Sequence, residues 1–117
     1  GFNRINMAIL SSHLLNSVNG THANGVKIII YQIKKSGEKN IFYETETDLG
    51  GRILKDFELS NDDCKCDYEM ICKTADYFSE KKIISEIIIK FKMENPKKKY
   101  HIPIIISPNG YSIWWSD

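Results

Sequence analysis

Hydrophobic and polar residues alternate along this chain in short runs separated by turn signals. The first run, Asn6 to Leu15, ends before the turn dipeptide Asn19-Gly20. Val26 to Lys34 follows, rich in Ile and closed by Lys35-Ser36-Gly37. From Asn40 to Thr47, Ile41, Tyr43 and Thr45 alternate with Phe42, Glu44 and Glu46. Gly50-Gly51 breaks the chain and Arg52-Ile53-Leu54 forms a stub. Tyr68 to Lys73, Ile83 to Met93, Tyr100 to Ser107 and Tyr111 to Trp115 complete a set of eight candidate strands. The one stretch of helical character is Ala75 to Lys82, with Thr74 placed to cap its start, acid early and lysines late. This pattern predicts an all-β sandwich with one short helix, a single domain over residues 1–117.

The run from Tyr100 to Ser112 is the most informative. It reads as a strand, the turn Pro108-Asn109-Gly110, and the start of a second strand. Side chains on a strand alternate between faces, so Tyr100, Ile102, Ile104 and Ile106 point one way and His101, Pro103, Ile105 and Ser107 the other. Both faces are largely apolar, which a solvated outer face would not be. The outer face therefore needs a cover, and we read the cover as another subunit.

Composition narrows the function. The chain has 117 residues, enough to bury a core without metal or disulfide help. Its 16 basic and 15 acidic residues leave a net charge of +1, so no overall field draws it to nucleic acid or an anionic membrane. Lys81-Lys82 and Lys97-Lys98-Lys99 lack interleaved aromatics and read as solvated turn charges. The longest apolar runs are too short to span a bilayer, and no long apolar stretch follows Arg4 as in a secretory signal. Three cysteines are an odd count for a disulfide framework. Cys64 and Cys66 read as exposed, reduced loop thiols and Cys72 as packing within a strand, which suits a reducing compartment. Cytoplasm is the default location, since Trp115-Ser116-Asp117 is no peroxisomal address.

Histidine is scarce: His13, His22 and His101. On the first strand Ser11, His13 and Leu15 share one face, and Ser12 and Leu14 the other. Taken singly, His13 and His101 read as satisfied structural residues, and His22 as a solvated loop histidine. Arg52, one of two arginines, follows a Gly-Gly turn whose freedom can aim it over a sheet face.

Taken in order, these elements form a pattern: Ser12-His13-Leu14-Leu15-Asn16-Ser17, the Gly20 to Ala23 loop, Thr47-Asp48-Leu49-Gly50-Gly51-Arg52, Cys72-Lys73-Thr74-Ala75-Asp76-Tyr77-Phe78, and the closing run from Tyr100 to Ser112. From about Met7 to the C-terminus the chain resembles the transthyretin-like family, and within it the 5-hydroxyisourate hydrolases. The resemblance implies an eight-stranded sandwich with one short helix, assembled as a homotetramer (a dimer of dimers) with ligand sites in a channel between dimers. It implies catalytic roles for His13, Arg52 and His101, which match the family's opening His, the Arg ending an Asp-Gly-Arg-like turn, and the His of its His-x-Pro strand. Hormone-carrying transthyretins lack this set.

The implied reaction is hydrolysis of 5-hydroxyisourate, a purine-derived ring with an activated acyl group. A neutral imidazole can take a proton from water at physiological pH, and a guanidinium can face developing negative charge. Either His101 or His13 fits the base. No cofactor or metal is required, although two facing histidines could bind zinc adventitiously. Ser112, Trp114 and Asp117 are the implied substrate-binding residues. The ending departs from the family's Tyr-Arg-Gly-Ser: Trp114-Trp115-Ser116-Asp117 keeps an aromatic, loses a cation and gains a carboxylate. Gly50 stands where the acid of the Asp-Gly-Arg turn would be. Three readings follow: an active hydrolase, a weakened relative binding a small ligand in the same channel, or a sandwich in which both histidines only pack.

Overall fold

The computed structural model describes residues 7–115; Asn6 at the start of the first predicted run, and Asp117, lie outside the described residues. Two sheets form the sandwich. The strands are β1 (Ala8–Asn16), β2 (Thr21–His22), β3 (Lys27–Ile33), β4 (Lys39–Glu46), β5 (Arg52–Phe57), β6 (Asp67–Cys72), β7 (Ile87–Lys92), β8 (Lys99–Ser107) and β9 (Gly110–Ile113), with the helix α1 (Thr74–Tyr77) between β6 and β7. In the first sheet β1 is central: β8 lies along one side, with β9 beyond it, and β5 and β2 share the other. The second sheet runs β4-β3-β6-β7, antiparallel throughout. The β1–β8 pair is parallel, which the long crossover through the second sheet makes possible.

Alternation decides what is buried. Leu10, Ser12 and Leu14 of β1, Ile28 and Ile30 of β3, Tyr68 and Met70 of β6, Ile87 and Ile89 of β7, and Tyr100, Ile102, Ile104 and Ile106 of β8 all face the space between the sheets. Aliphatic burial of this kind supplies on the order of 1.5–3 kcal/mol per large side chain before chain entropy is counted. The polar exceptions are satisfied. Ser12 Oγ donates to the Ile102 carbonyl (2.6 Å), and Thr47 Oγ1 donates to Ala23 O (2.6 Å) while accepting from Val26 N (2.9 Å).

Four details differ from the sequence expectation. The helix is one turn, Thr74–Tyr77, with Lys73 preceding it and no side-chain cap, so Thr74 is its first residue rather than its cap. Beyond Tyr77 the chain is extended and buries Phe78, because a segment this short gains more from one aromatic anchor than from another helical turn. Second, β7 begins at Ile87; Ile83 is 92% exposed, and the preceding segment returns to pair Ala75 N with Ser85 O. Third, the Arg52 stub extends to Phe57 because β5 finds β1 as a partner along its whole length. Fourth, Cys66 is buried, and its thiol contacts the Asp62 carbonyl; all three cysteines are unbridged. Burial pushes the Cys72 thiol up to about 12.

The turn before β5 holds the site together. Gly51 has φ of +71°, and its carbonyl accepts from Leu14 N at 2.8 Å. A Cβ on Gly51 would lie 2.6 Å from Leu14 O and 2.9 Å from Ala23 N, both backbone atoms that cannot swing aside. Gly51→Ala should therefore destabilise the fold by at least about 1–3 kcal/mol, the cost of left-handed backbone for a residue with a Cβ. Denaturant unfolding checks this; a wild-type midpoint in the variant would show that the contact is dispensable.

Candidate functional site

The site is built on the outer face of the first sheet. Arg52 of β5 pairs with His13 of β1, which pairs with Pro103 of β8; in the next row Leu54 pairs with Ser11, which pairs with His101. Arg52, His13 and His101 therefore share one face. His13 and His101 stand diagonally on neighbouring strands, about 7–8 Å apart at the backbone and within reach of long side chains. Pro103 costs no ladder bond to β9, because that pairing starts at Ile104.

Each side chain has a fixed neighbour. Ser11, 7% exposed, places its Oγ 2.7 Å from His101 Nδ1. When Nδ1 carries the proton it donates to Oγ, leaving Nε2 as a free acceptor. His13 Nε2 lies 2.8 Å from His22 Nδ1, with ring centroids 4.9 Å apart and planes tilted by 32°. Arg52 is aimed by Asp48, whose Oδ1 accepts from the backbone N–H of both Gly50 and Arg52 at 2.9 Å. Asp48 N in turn donates to the Arg52 carbonyl at 3.0 Å.

A cavity of about 360 Å³ opens beside these groups, lined by Ser11, Ser12, Asp48, Arg52, Ile53, Leu54, Lys99 and His101. A larger hollow of about 690 Å³ lies on the other sheet, lined by Lys27, Ile28, Ile29, Glu44, Thr45, Glu46, Lys73 and Asp76. It holds neither imidazole nor guanidinium, and its Lys73 is already paired with Glu86 at 2.7 Å. Of these two cavities, the smaller one is lined by an imidazole and a guanidinium.

Both imidazoles are pushed toward their neutral forms. His101 lies below the usual 6.5, through burial first, then the positive charges of Lys99 and Arg52, with a contact to Ser11 opposing. His13 is lowered by burial, then by Arg52, His22 and His101, against a raising hydrogen bond with the Gly50 backbone. The result is a pair of uncharged rings beside two cations, which suits accepting a proton from water while stabilising an anion. Among the described residues no group of three or more His, Cys, Asp or Glu side chains converges as a metal-ligand set.

The other implied site residues fall elsewhere in the chain. Ser112 pairs with Ile105, so it is on the His101 face, but four residues further along, about 13 Å at the usual strand rise. Trp114 lines a separate apolar hollow with Ile89, Phe91, Ile102, Ile113 and Trp115. Three residues of the site are not among the candidates read from sequence. Lys99 lines the cavity instead of being a solvated turn charge; its place two residues before His101 puts it on the same face. Ser11 shares the His13 face by the same period. His22 left no local signal, because only the return of the Gly20–Gly25 loop onto β1 brings it to His13.

Comparison with known proteins follows this geometry. Residues 10–115 match the HIUase/Transthyretin family. The chain belongs to that family. It is 34% identical over 109 residues to the 5-hydroxyisourate hydrolase of Salmonella dublin, spanning 91% of this chain and 79% of the relative. Its structure is similar to that of Klebsiella pneumoniae 5-hydroxyisourate hydrolase, with a TM-score of 0.75 and 25% identity, covering 95% of this chain and 100% of that one. Transthyretin from Sparus aurata superposes with a TM-score of 0.78 at 18% identity over 92% of this chain and 95% of its own, a likeness of fold. The sandwich is thus shared with a hydrolase and with a transthyretin.

The lowered imidazoles link the site to stability. Below 6.5 the unfolded chain binds protons at these histidines more readily than the native state, so their contribution is complete above 6.5 and is lost as pH falls through the native values. Denaturant midpoints should fall between neutral pH and about pH 5, and a His13→Asn/His101→Asn double variant should show a shallower fall. A wild-type profile that is flat over this range would refute the shifts.

Proposed function

We propose that this chain is a 5-hydroxyisourate hydrolase, converting 5-hydroxyisourate to 2-oxo-4-hydroxy-4-carboxy-5-ureidoimidazoline, with water activated on the outer face of the first sheet. One observation carries the reading: the family match is joined here to a His13, Arg52 and His101 set on a single face, beside a cavity that two of them line.

The geometry favours His101 as the base. Its Nδ1 is engaged by Ser11, leaving Nε2 free, whereas Nε2 of His13 is engaged by His22. Water attacks the activated acyl carbon as His101 Nε2 takes its proton. The carbon–nitrogen bond then breaks, and the leaving nitrogen takes a proton, from the imidazolium or from solvent. Arg52 and Lys99 face the negative charge that develops on the acyl oxygen, in a cavity where hydration competes less than in bulk water. His13 orients the reacting group from the neighbouring row.

The same reading places the site in a channel of a homotetramer. Supporting this, Ile9, Leu15, Leu54 and Ile105 give the outer face an apolar character that one chain leaves partly uncovered. Two such sheets facing each other would bring Ser112 of one protomer toward the cavity of another. Trp114 and Asp117 receive no role in this scheme. No helix among the described residues is long and apolar enough to cross a membrane; a cytoplasmic location remains part of the proposal. The second reading, a relative that binds a ligand without turnover, is favoured by the replaced C-terminal tetrapeptide.

Loss of ultraviolet absorbance from freshly generated 5-hydroxyisourate separates the two readings. The wild-type chain should turn it over, and His101→Asn and Arg52→Ala should each lose roughly 10²- to 10⁴-fold in rate with the oligomer intact by light scattering. Binding without turnover in the wild type would leave only the second reading. The kcat/KM profile should show an acid limb below 6.5, because the base is active only when neutral. An acid limb well above that value would mean another group is the base.

A further inference from the structure

We propose that His22 is a positioning residue of the hydrolytic site: its Nδ1 engages Nε2 of His13 and so fixes the plane of that ring and which of its nitrogens carries the proton. The inference rests on the hydrolase reading above, and it adds a residue that sequence alone assigned to solvent.

Three observations carry it. The contact is short, at 2.8 Å, and joins two ring nitrogens, one of which must donate while the other accepts. A ring held this way cannot swing out of the row shared with Arg52. Next, the backbone carrying His22 is fixed to β1 and to Thr47, the residue before Asp48. Leu15 pairs with His22 in the β1–β2 ladder, Ala23 N donates to Leu14 O at 2.9 Å, and Thr47 Oγ1 donates to Ala23 O. A Cβ on Gly51, next to Arg52, would come within 3.2 Å of His22 Cβ, so the β5 turn and the β2 loop are packed as one unit. Finally, His22 is exposed while His13 is half-buried, so the outer ring packs over the inner one from the solvent side.

The charges around the pair explain the consequence. Arg52 from β5 and His101 from β8 face His13, and Lys99 lies near His101; Asp48 is in the turn before β5, with Oδ1 already accepting from two backbone N–H groups. A second proton on the His13–His22 pair would place two cations in hydrogen-bond contact beside a guanidinium. Removing His22 takes away one of the groups that lower His13, so the His13 value must rise.

The experiment compares the wild-type chain with His22→Ala and His22→Asn, whose amide can still offer a donor or an acceptor to His13 Nε2. In His22→Ala, kcat should fall roughly ten- to a hundredfold with little change in KM, the cost of a misplaced group. The pH at which the His13 ring takes up a proton should move up, and His22→Asn should recover most of the lost rate. Nitrogen-15 NMR of the His13 ring should show one tautomer in wild type and in His22→Asn, and a mixture in His22→Ala. An unchanged tautomer and an unchanged protonation pH of the His13 ring in His22→Ala would overturn the proposal. Failure of the functional reading looks different: the wild type would turn over nothing, while the ring spectra, which need no substrate, would still decide the His13–His22 pair.

Discussion

The register of β1 between β5 and β8 is the constraint on which the site depends. His13 stands opposite Arg52 and Ser11 opposite His101 because these three strands are paired at one offset. A slip of one residue on β1 would turn Ser11 and His13 into the core and Leu10, Ser12 and Leu14 out to solvent. The buried face forbids this slip, so hydrophobic packing on one side of the sheet sets polar geometry on the other. Gly51 reinforces the same register, since its carbonyl bonds to Leu14 N and its missing Cβ leaves room for Leu14 O.

Electrostatics give the face its chemical character. Arg52 and Lys99 are permanent cations at working pH, and each depresses a histidine near it. Lowered imidazoles remain neutral where an ordinary histidine begins to charge, which preserves their capacity to accept a proton. Among the described residues neither cation is ion-paired with a carboxylate. Asp48 fits this arrangement because its Oδ1 accepts from Gly50 and Arg52 backbone N–H groups, so it shapes the turn.

The family frame carries different functions by changing what stands on this face. A fold alone does not fix an activity; the side chains at a few paired positions do. In this chain the C-terminal residues depart furthest from the hydrolase pattern, and Trp114 and Trp115 pack toward β7 and β8, with Trp115 ringed by Tyr100 and Lys98.

The sequence by itself determined the sandwich and the alternation of β1 and β8, whereas grouping His13, Arg52 and His101 came from the resemblance to a family. The first two features are local: a period of two on each strand and recognisable turns are visible without knowing what pairs with what. Only the tertiary structure decided that Phe78 leaves the helix after one turn, that β5 runs on to Phe57 beside β1, and that Cys66 is buried. Each of these is settled by a partner distant in sequence. His22 shows the limit most clearly. Nothing in the Gly20–Gly25 loop marks its histidine as different from a solvated one, and its meaning arises when the loop folds back to set one imidazole against another. Hydrophobic periodicity records which face a residue occupies, whereas the hydrogen bond that gives a polar residue its role depends on a neighbour the period does not name.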